Sequence, residues 1–479
     1  MDRRGKPIVV WFREDLRVAD NPALRSAAAA GRPVVPLYIH DEDGPPRPLG
    51  AASKWWLDKS LRALAKTLSE AGSPLVLRRG DAMETLKMVV TETGATGLAW
   101  NRLYDRKSMA RDAEVASAMA QLGVETESHN AGLINEPDAV TTGSGGPFRV
   151  FTPYFRAAVK TADVSTHADP EPCLESPENP ARSDDLETWS LHPSSPDWSE
   201  GFGDWTPGEA GARARLDRFI GGAAKHYAHG RNVMGEEGVS RLSPHLHFGE
   251  IGPRQVWRAV RSAAERGDIG HGEAETFQKE LLWREFNYSL LFHNPDITHR
   301  PFNAAFARFD WLDDKPGFRA WTQGLTGFPI VDAAMRQLWS TGWMHNRARM
   351  IAASFLVKDL LVDWRRGEAW FWDTLVDADL ANNVANWQWV AGSGADAAPF
   401  FRIFNPMLQG AKFDGQGKYV RRWVPELAAL SDGDLHEPWK ADAGALRRAG
   451  VELGSTYPNP IVDHFAARDR ALAAYARVS

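Results

Sequence analysis

The sequence predicts an α/β amino-terminal domain built on a Rossmann-like parallel sheet, joined through a connector to an all-α carboxy-terminal domain. Three observations carry this. Across residues 1–135 short apolar runs alternate with segments of helical period. Across 136–205 runs of Pro, Ser, Glu and Asp replace any sustained period, which is the signature of a connector draped over the surface. Across 206–479 the spacing is helical throughout. Three such segments suit a chain of 479 residues.

The elements follow in order. Ile8–Phe12 is an apolar run and reads as the first strand. Asp20-Asn21-Pro22 starts a helix, a capping side chain followed by proline inside the first turn, and Gly31 ends it. Residues 34–39 form the next strand. A helix over 53–71 lines Leu57, Leu61, Leu64 and Leu68 along one face and stops at Gly72. Strands at 75–77 and 98–100 then alternate with helices at 81–93 and 105–122. Such alternation means βαβ units and a parallel sheet covered on both faces. The first strand is followed by Arg13-Glu14-Asp15 rather than a glycine-rich turn, so a dinucleotide is not expected in the usual Rossmann place. In the carboxy-terminal part helical spacing marks 211–220, 276–292, 330–339, 343–361 and 368–376.

Composition removes several classes of function. Apolar residues at 43% and charged residues at 25% are ordinary for a globular chain and exclude a disordered or collagenous one. No run approaches the ~18 apolar residues of a membrane span. The run ending at Phe12 is too short for a signal peptide, and a cytoplasmic protein is expected. The single cysteine, Cys173, excludes an intramolecular disulfide and a four-thiolate metal site. Net charge is −6, so nucleic-acid binding would need a local basic face. The unusual count is 20 tryptophans. Indole fills cores, but it also stacks on flat ligands and can be oxidised by one electron.

Five constellations could carry chemistry. Gly238 to His245 offers two serines and Arg241 leading into Ser243-Pro244, which suits either a plain capped helix, with Ser243 as the cap, or a phosphate cradle. Phe277, Glu280, Trp283 and Asn287 share a helix face, and an acid between two aromatics suits a flat polar ring as well as a solvated rim. Trp343 to Met350 places His345 and Arg349 one turn apart inside an apolar helix, with Asp377 and Asp379 available as partners. Asn382, Asn383, Asn386, Trp387 and Trp389 follow; the three Asn favour loops or functional contacts, and the two Trp must serve different surfaces. Lys225, Arg231, Arg241, Arg402, Lys412, Arg421 and Arg422, interleaved with aromatics, suit either a phosphate backbone or a solvated face.

Taken together these segments resemble the photolyase/cryptochrome flavoprotein family. The matches are Trp11-Phe12-Arg13-x-Asp15-Leu16-Arg17 with Asp20-Asn21; Ser240-Arg241-Leu242-Ser243-Pro244; Glu280-x-x-Trp283-Arg284-Glu285-Phe286; Gly327-Phe328-Pro329-Ile330-Val331-Asp332-Ala333; Gly342-Trp343-Met344-His345-Asn346; Asp377-x-Asp379; Trp387-Gln388-Trp389; and Phe401 to Pro406. They run through nearly the whole chain in the family's order. The resemblance implies photolyase/cryptochrome architecture: an α/β antenna domain and a helical domain holding a bent FAD. It implies that Tyr227, Val239, Ser240, Arg241, Leu242, Ser243, Phe277, Glu280, Arg284, Asn346, Arg349, Asp377, Asp379 and Asn383 line the FAD site. Asn383 would face flavin N5. Trp387, Trp364 and Trp311 would relay electrons to the surface. Glu280, Trp283, Met350 and Trp389 would hold a flipped pyrimidine dimer, and Arg231 and Arg402 would contact the DNA strand.

The resemblance is nearest to the class III cyclobutane-dimer photolyases, the bacterial group closest to plant cryptochromes. Asn346 matches the cyclobutane-dimer pattern where animal-type (6-4) enzymes tend to carry a second His. Asn383 and Trp389 stand where plant cryptochromes typically have Asp and lack the second Trp. The implied function is light-driven repair of cyclobutane pyrimidine dimers in ultraviolet-damaged DNA, with Glu280 and Asn383 as catalytic residues. The implied antenna is 5,10-methenyltetrahydrofolate, although Lys107-Ser108-Met109 departs from the class I folate motif. A monomer with no obligate protein partner and no metal is expected. The alternative is a cryptochrome-like photoreceptor, against which stands the short stretch after Asn459-Pro460.

Overall fold

Five strands, β1 (Ile8–Phe12), β2 (Val34–His40), β3 (Val76–Arg79), β4 (Gly97–Asn101) and β5 (Glu125–His129), pair in parallel in the order β3-β2-β1-β4-β5. This is a computed structural model, and it describes residues 5–162, 164, 172–396 and 401–478. In the central register Val9 lies between Val35 and Leu98, and every residue of β1, β2 and β4 is buried, as near-continuous apolar strands covered on both faces must be. The covering helices are α1 (Pro22–Ala29), α2 (Ala51–Glu70), α3 (Ala82–Thr93) and α4 (Arg106–Gln121). Asn21, Asp81 and Asp105 cap three of them, each accepting a backbone N–H of the first turn. The strand β5 escapes a reading by apolar pattern, because Glu-Thr-Glu-Ser-His is an exposed polar edge held by backbone pairing to β4.

The connector is not bare chain. It contains a helix, α5 (Phe151–Thr161), that buries Phe151, Tyr154 and Ala158, and farther on Leu174, Leu186, Trp189, Leu191 and Phe202 are buried against the sheet domain. Its anchor is Glu285, buried on the long helix α7 (His271–His293). Glu285 accepts the backbone N–H groups of Ile134 (2.6 Å) and Asn135 (3.1 Å), the Asn135 amide (2.7 Å) and the Tyr154 hydroxyl.

The helical half opens with α6 (Glu209–Gly221) and includes, beside α7, α8 (Pro329–Thr341), α9 (Asn346–Ser354), α10 (Trp364–Thr374) and α11 (Leu380–Ala391). The apolar period expected over 343–361 is realised as α9 followed by a π-helical turn, Phe355–Asp359. The two halves share core: Phe248, Trp343 and Val376 pack with the sheet-domain residues Trp55 and Trp56 and with Phe202 of the connector. Gly249, at φ +65°, is where the chains approach, since a Cβ there would lie 2.1 Å from the Glu14 carbonyl oxygen. Glu250, wholly buried, accepts the Trp56 indole N–H at 2.9 Å and the Gly208 N–H at 2.7 Å.

Candidate functional site

The helices α7, α9 and α11 and the loop 239–243 carry most of the expected site residues. Arg241 in that loop has φ +52°, a left-handed conformation costly for arginine and common where a site dictates the backbone. Ser243 is not the helix cap its sequence suggests. It is the first residue of a one-turn helix, and its hydroxyl donates to Asp377 at 2.6 Å. Asp377 also takes both guanidinium nitrogens of Arg349, at 3.0 and 2.8 Å, so the expected ion pair forms. His345 does not sit within a helix: it is the N-cap of α9, accepting the Arg347 N–H at 3.1 Å. Burial and the neighbouring arginines push its pKa down to about 3, so it is neutral. Ser243 and Asn346 are exposed although Leu242, Pro244 and His345 beside them are buried, so their polar groups are accessible.

On α7, Phe277 packs edge-on to Tyr227 at 5.2 Å, forming an aromatic wall. Glu280 pairs with Arg231, so these two predicted lesion and DNA contacts hold each other. Burial raises the Glu280 pKa, opposed by the Arg231 charge. Trp283 is stacked on one side by Phe151, at 3.6 Å and 10°. Arg284 turns elsewhere. It donates to the Gly132 carbonyl and stacks on Tyr288, in the crevice beyond the carboxyl ends of β1 and β4, where the sheet order reverses. Glu14, Tyr104 and His247 line the same crevice. Burial, reinforced by Asp379 and Asp105, lifts the Glu14 pKa to about 8. The crevice has room for about one water molecule, some 20 Å³.

The three Asn of 382–386 lie in a helix after all, because each has a local partner. Asp379 caps α11 by accepting the Asn382 N–H at 2.7 Å and receives the Tyr288 hydroxyl on its other oxygen. Asn386 donates to the Asn382 carbonyl at 2.8 Å. Asn383 donates its amide N–H to the Glu368 carboxylate at 2.8 Å and to the Glu368 carbonyl at 3.0 Å. Its amide oxygen is thereby left as the group that can accept. The two indoles of α11 do serve different surfaces. Trp387 is buried against Phe371 and Trp321, with an indole N–H that has no partner. Trp389 faces a cavity of about 210 Å³ that it lines with Trp283, Ser354 and Arg402. Arg402 lies over the Trp389 ring at 5.9 Å. An engineered cavity of about 150 Å³ holds a benzene, so this one has room for fused rings. Met350 is half-buried beside Arg347.

Trp364 is 1% exposed and lies one turn before Gly367 on α10, where a Cβ would stand 2.2 Å from the Trp387 ring. The α10 face carrying Trp364 therefore packs on Trp387. Trp311 is half-buried and contacts Phe309 at 4.4 Å. Sequence reasoning missed Glu368, Glu14, His247 and Lys358. Lys358 is wholly buried, donates to the Ala391 carbonyl at 2.7 Å and lies 3.0 Å over the Phe401 ring, so it ties the end of α11 to the Arg402 loop. Glu368 and Lys358 sit within helical runs whose pattern gives no sign of buried charge. Among the described residues no cluster of metal-ligating side chains occurs, and no helix is long and apolar enough to cross a membrane.

Residues 277–477 match the FAD binding domain of DNA photolyase, and residues 8–175 match the DNA photolyase domain. The deoxyribodipyrimidine photo-lyase of Agrobacterium fabrum is 52% identical over 100% of this chain and 99% of its own length. The chain belongs to the DNA photolyase family. The crystal structure of a bacterial class III photolyase from Agrobacterium tumefaciens superposes with a TM-score of 0.96 at 52% identity, covering 100% of this chain and 98% of that one. Cryptochrome-1 of Arabidopsis thaliana is 40% identical over 95% of this chain and 68% of its own length. The family's cofactor is FAD, and the side chains of this region suit it. Serine hydroxyls and the exposed Asn346 suit its phosphates and ribityl, the Tyr227–Phe277 wall suits a flat ring, and the Arg349–Asp377 pair suits a polar ring edge.

Proposed function

We propose that this chain is a DNA repair enzyme that uses blue light to split cyclobutane pyrimidine dimers. The observation that carries the reading is the cavity of about 210 Å³ between Trp283 and Trp389, with Arg402 at its edge. Two indoles across a gap suit a pair of fused pyrimidine rings, and stacking on aromatics is worth about 1–3 kcal/mol per base. Flipping the lesion out costs a few kcal/mol, least where stacking is already poor, and phosphate contacts from Arg231 and Arg402 offset it.

FAD, when bound, supplies the light-absorbing group that lends an electron to the dimer and takes it back. The protein residues hold and orient. Glu280, its pKa raised by burial, is the polar group that would hydrogen-bond a pyrimidine when Arg231 turns to the DNA strand. The Asn383 amide oxygen would be the acceptor offered to flavin N5–H, since its nitrogen is committed to Glu368. Arg349 and Asp377 would help hold the flavin with charges already paired, so they need no reorganisation during reaction. Trp387, Trp364 and Trp311 would carry electrons to it from the surface. The antenna is 5,10-methenyltetrahydrofolate by class resemblance. The crevice beyond β1 and β4 is too narrow for its pteridine, and no residue is assigned to it. The enzyme acts as a monomer in the cytoplasm.

A second reading, a blue-light photoreceptor, draws on the likeness to cryptochrome-1; Asn383 and Trp389 favour repair. Incubation with ultraviolet-irradiated thymine oligomer, in blue light and in the dark, separates the two. Light-dependent loss of dimers supports repair, and its absence with FAD bound overturns it.

A further inference from the structure

The Asn383 amide is held by Glu368, and Glu368 is held in turn by a residue of the other half of the chain. Arg47 meets Glu368 through two guanidinium nitrogens, Nη1 at 3.1 Å and Nη2 at closer range, and stacks on the Trp372 ring at 3.7 Å. Its segment is clamped to α10. The Trp372 indole donates to the Pro48 carbonyl at 2.8 Å, and the Ala51 N–H donates to Asp373 at 3.0 Å. A Cβ on Gly50 would lie 2.1 Å from the Trp372 carbonyl oxygen, so the approach admits no side chain. Glu368 is nearly enclosed, its side chain 6% exposed, whereas that of Arg47 is 29% exposed.

We propose that Arg47 is a positioning residue for the flavin site: it keeps Glu368 an acceptor, which turns the Asn383 amide nitrogen away and leaves the amide oxygen to face flavin N5. This rests on the placement of FAD proposed above. Without Arg47 the enclosed carboxylate loses the two-bonded partner that fixes its position and compensates its charge. A carboxylate no longer held in place leaves the Asn383 amide nitrogen only the Glu368 backbone carbonyl, so the amide is freer to turn. An amide oxygen at N5 favours reduced flavin, which has a hydrogen there; an amide nitrogen favours the oxidised ring, which has a lone pair. The N-terminal half thus biases the redox state of a cofactor bound in the C-terminal half.

The test uses the full-length, FAD-loaded protein. R47M, R47K, E368Q and R47M/E368Q are compared with the parent for FAD per chain, denaturant midpoint and the ratio of reduced to oxidised flavin at one fixed poise, read by absorbance. R47M is expected to lower that ratio at least threefold with FAD retained, R47K to stay within twofold of the parent, and R47M to add nothing in the E368Q background. An unchanged ratio in R47M, an effect that adds to that of E368Q, or loss of FAD together with a lower denaturant midpoint would each overturn the proposal, the last by making Arg47 a plain clamp. A parent protein that carries no FAD overturns the wider reading as well.

Discussion

Removing the Arg349 guanidinium tests how much the site depends on its central ion pair. Asp377 is nearly enclosed, its side chain 2% exposed, and takes two bonds from Arg349 and one from the Ser243 hydroxyl. In Arg349→Ala the carboxylate keeps only the serine. Deleting one partner of a buried pair costs about 3–5 kcal/mol. The Arg349 side chain is 24% exposed and the serine bond survives, so the lower end applies, about 3 kcal/mol. Adding Asp377→Asn removes the stranded charge and should recover about half of that loss. Urea unfolding of all three proteins, with FAD content measured in parallel, gives both readouts. If Arg349→Ala unfolds within about 0.5 kcal/mol of the parent, or the double variant is no more stable than the single, the reasoning about Asp377 is wrong.

Glu280→Gln is expected to keep FAD and to lower dimer repair per absorbed photon; unchanged yield removes Glu280 from the reaction. Trp387→Phe should stop photoreduction of the oxidised flavin while chemically reduced enzyme still repairs, and normal photoreduction would show that electrons take another route. Arg402→Ala should make the dependence of DNA affinity on salt shallower by about one unit of log–log slope, which binding measured from low to moderate salt checks. Glu14 has a native pKa near 8 against an ordinary 4.5, so it contributes no penalty below about pH 4.5 and a growing one up to pH 8. Stability should therefore fall with rising pH across that window by about 5 kcal/mol, and Glu14→Gln should flatten the fall in urea titrations. An identical pH slope in the variant contradicts the placement of Glu14.

Wherever burial follows from periodicity, the fold is legible in the sequence. The strands β1, β2 and β4 are apolar runs, and the N-caps Asn21, Asp81 and Asp105 stand where a short polar side chain precedes each helix. The edge strand β5 is not legible, because its stability comes from backbone pairing, which leaves no pattern in side chains. Nor is α5, whose three buried residues read as a helix only once α7 is there to receive them. In the site, Arg349 and Asp377 are readable as charges that need partners. Glu368 and Arg47 are not, since 321 residues separate them and neither lies in a distinctive motif. Ser243 reads from sequence as a cap or as part of a phosphate cradle; it is no cap, since a carboxylate more than a hundred residues away takes its hydroxyl.

The carboxylate of Glu285 sets where this chain could be recombined with a relative. Its donors come from Ile134, Asn135 and Tyr154, all upstream of the helical half. A chimaera spliced at residue 206, with both upstream segments taken from a parent that lacks Asn135 and Tyr154, would leave this acid its two backbone donors and remove both side-chain donors. A crossover placed before residue 130 keeps the acid and its donors in one inheritance, so the natural seam of this molecule lies inside what its composition marks as the first domain.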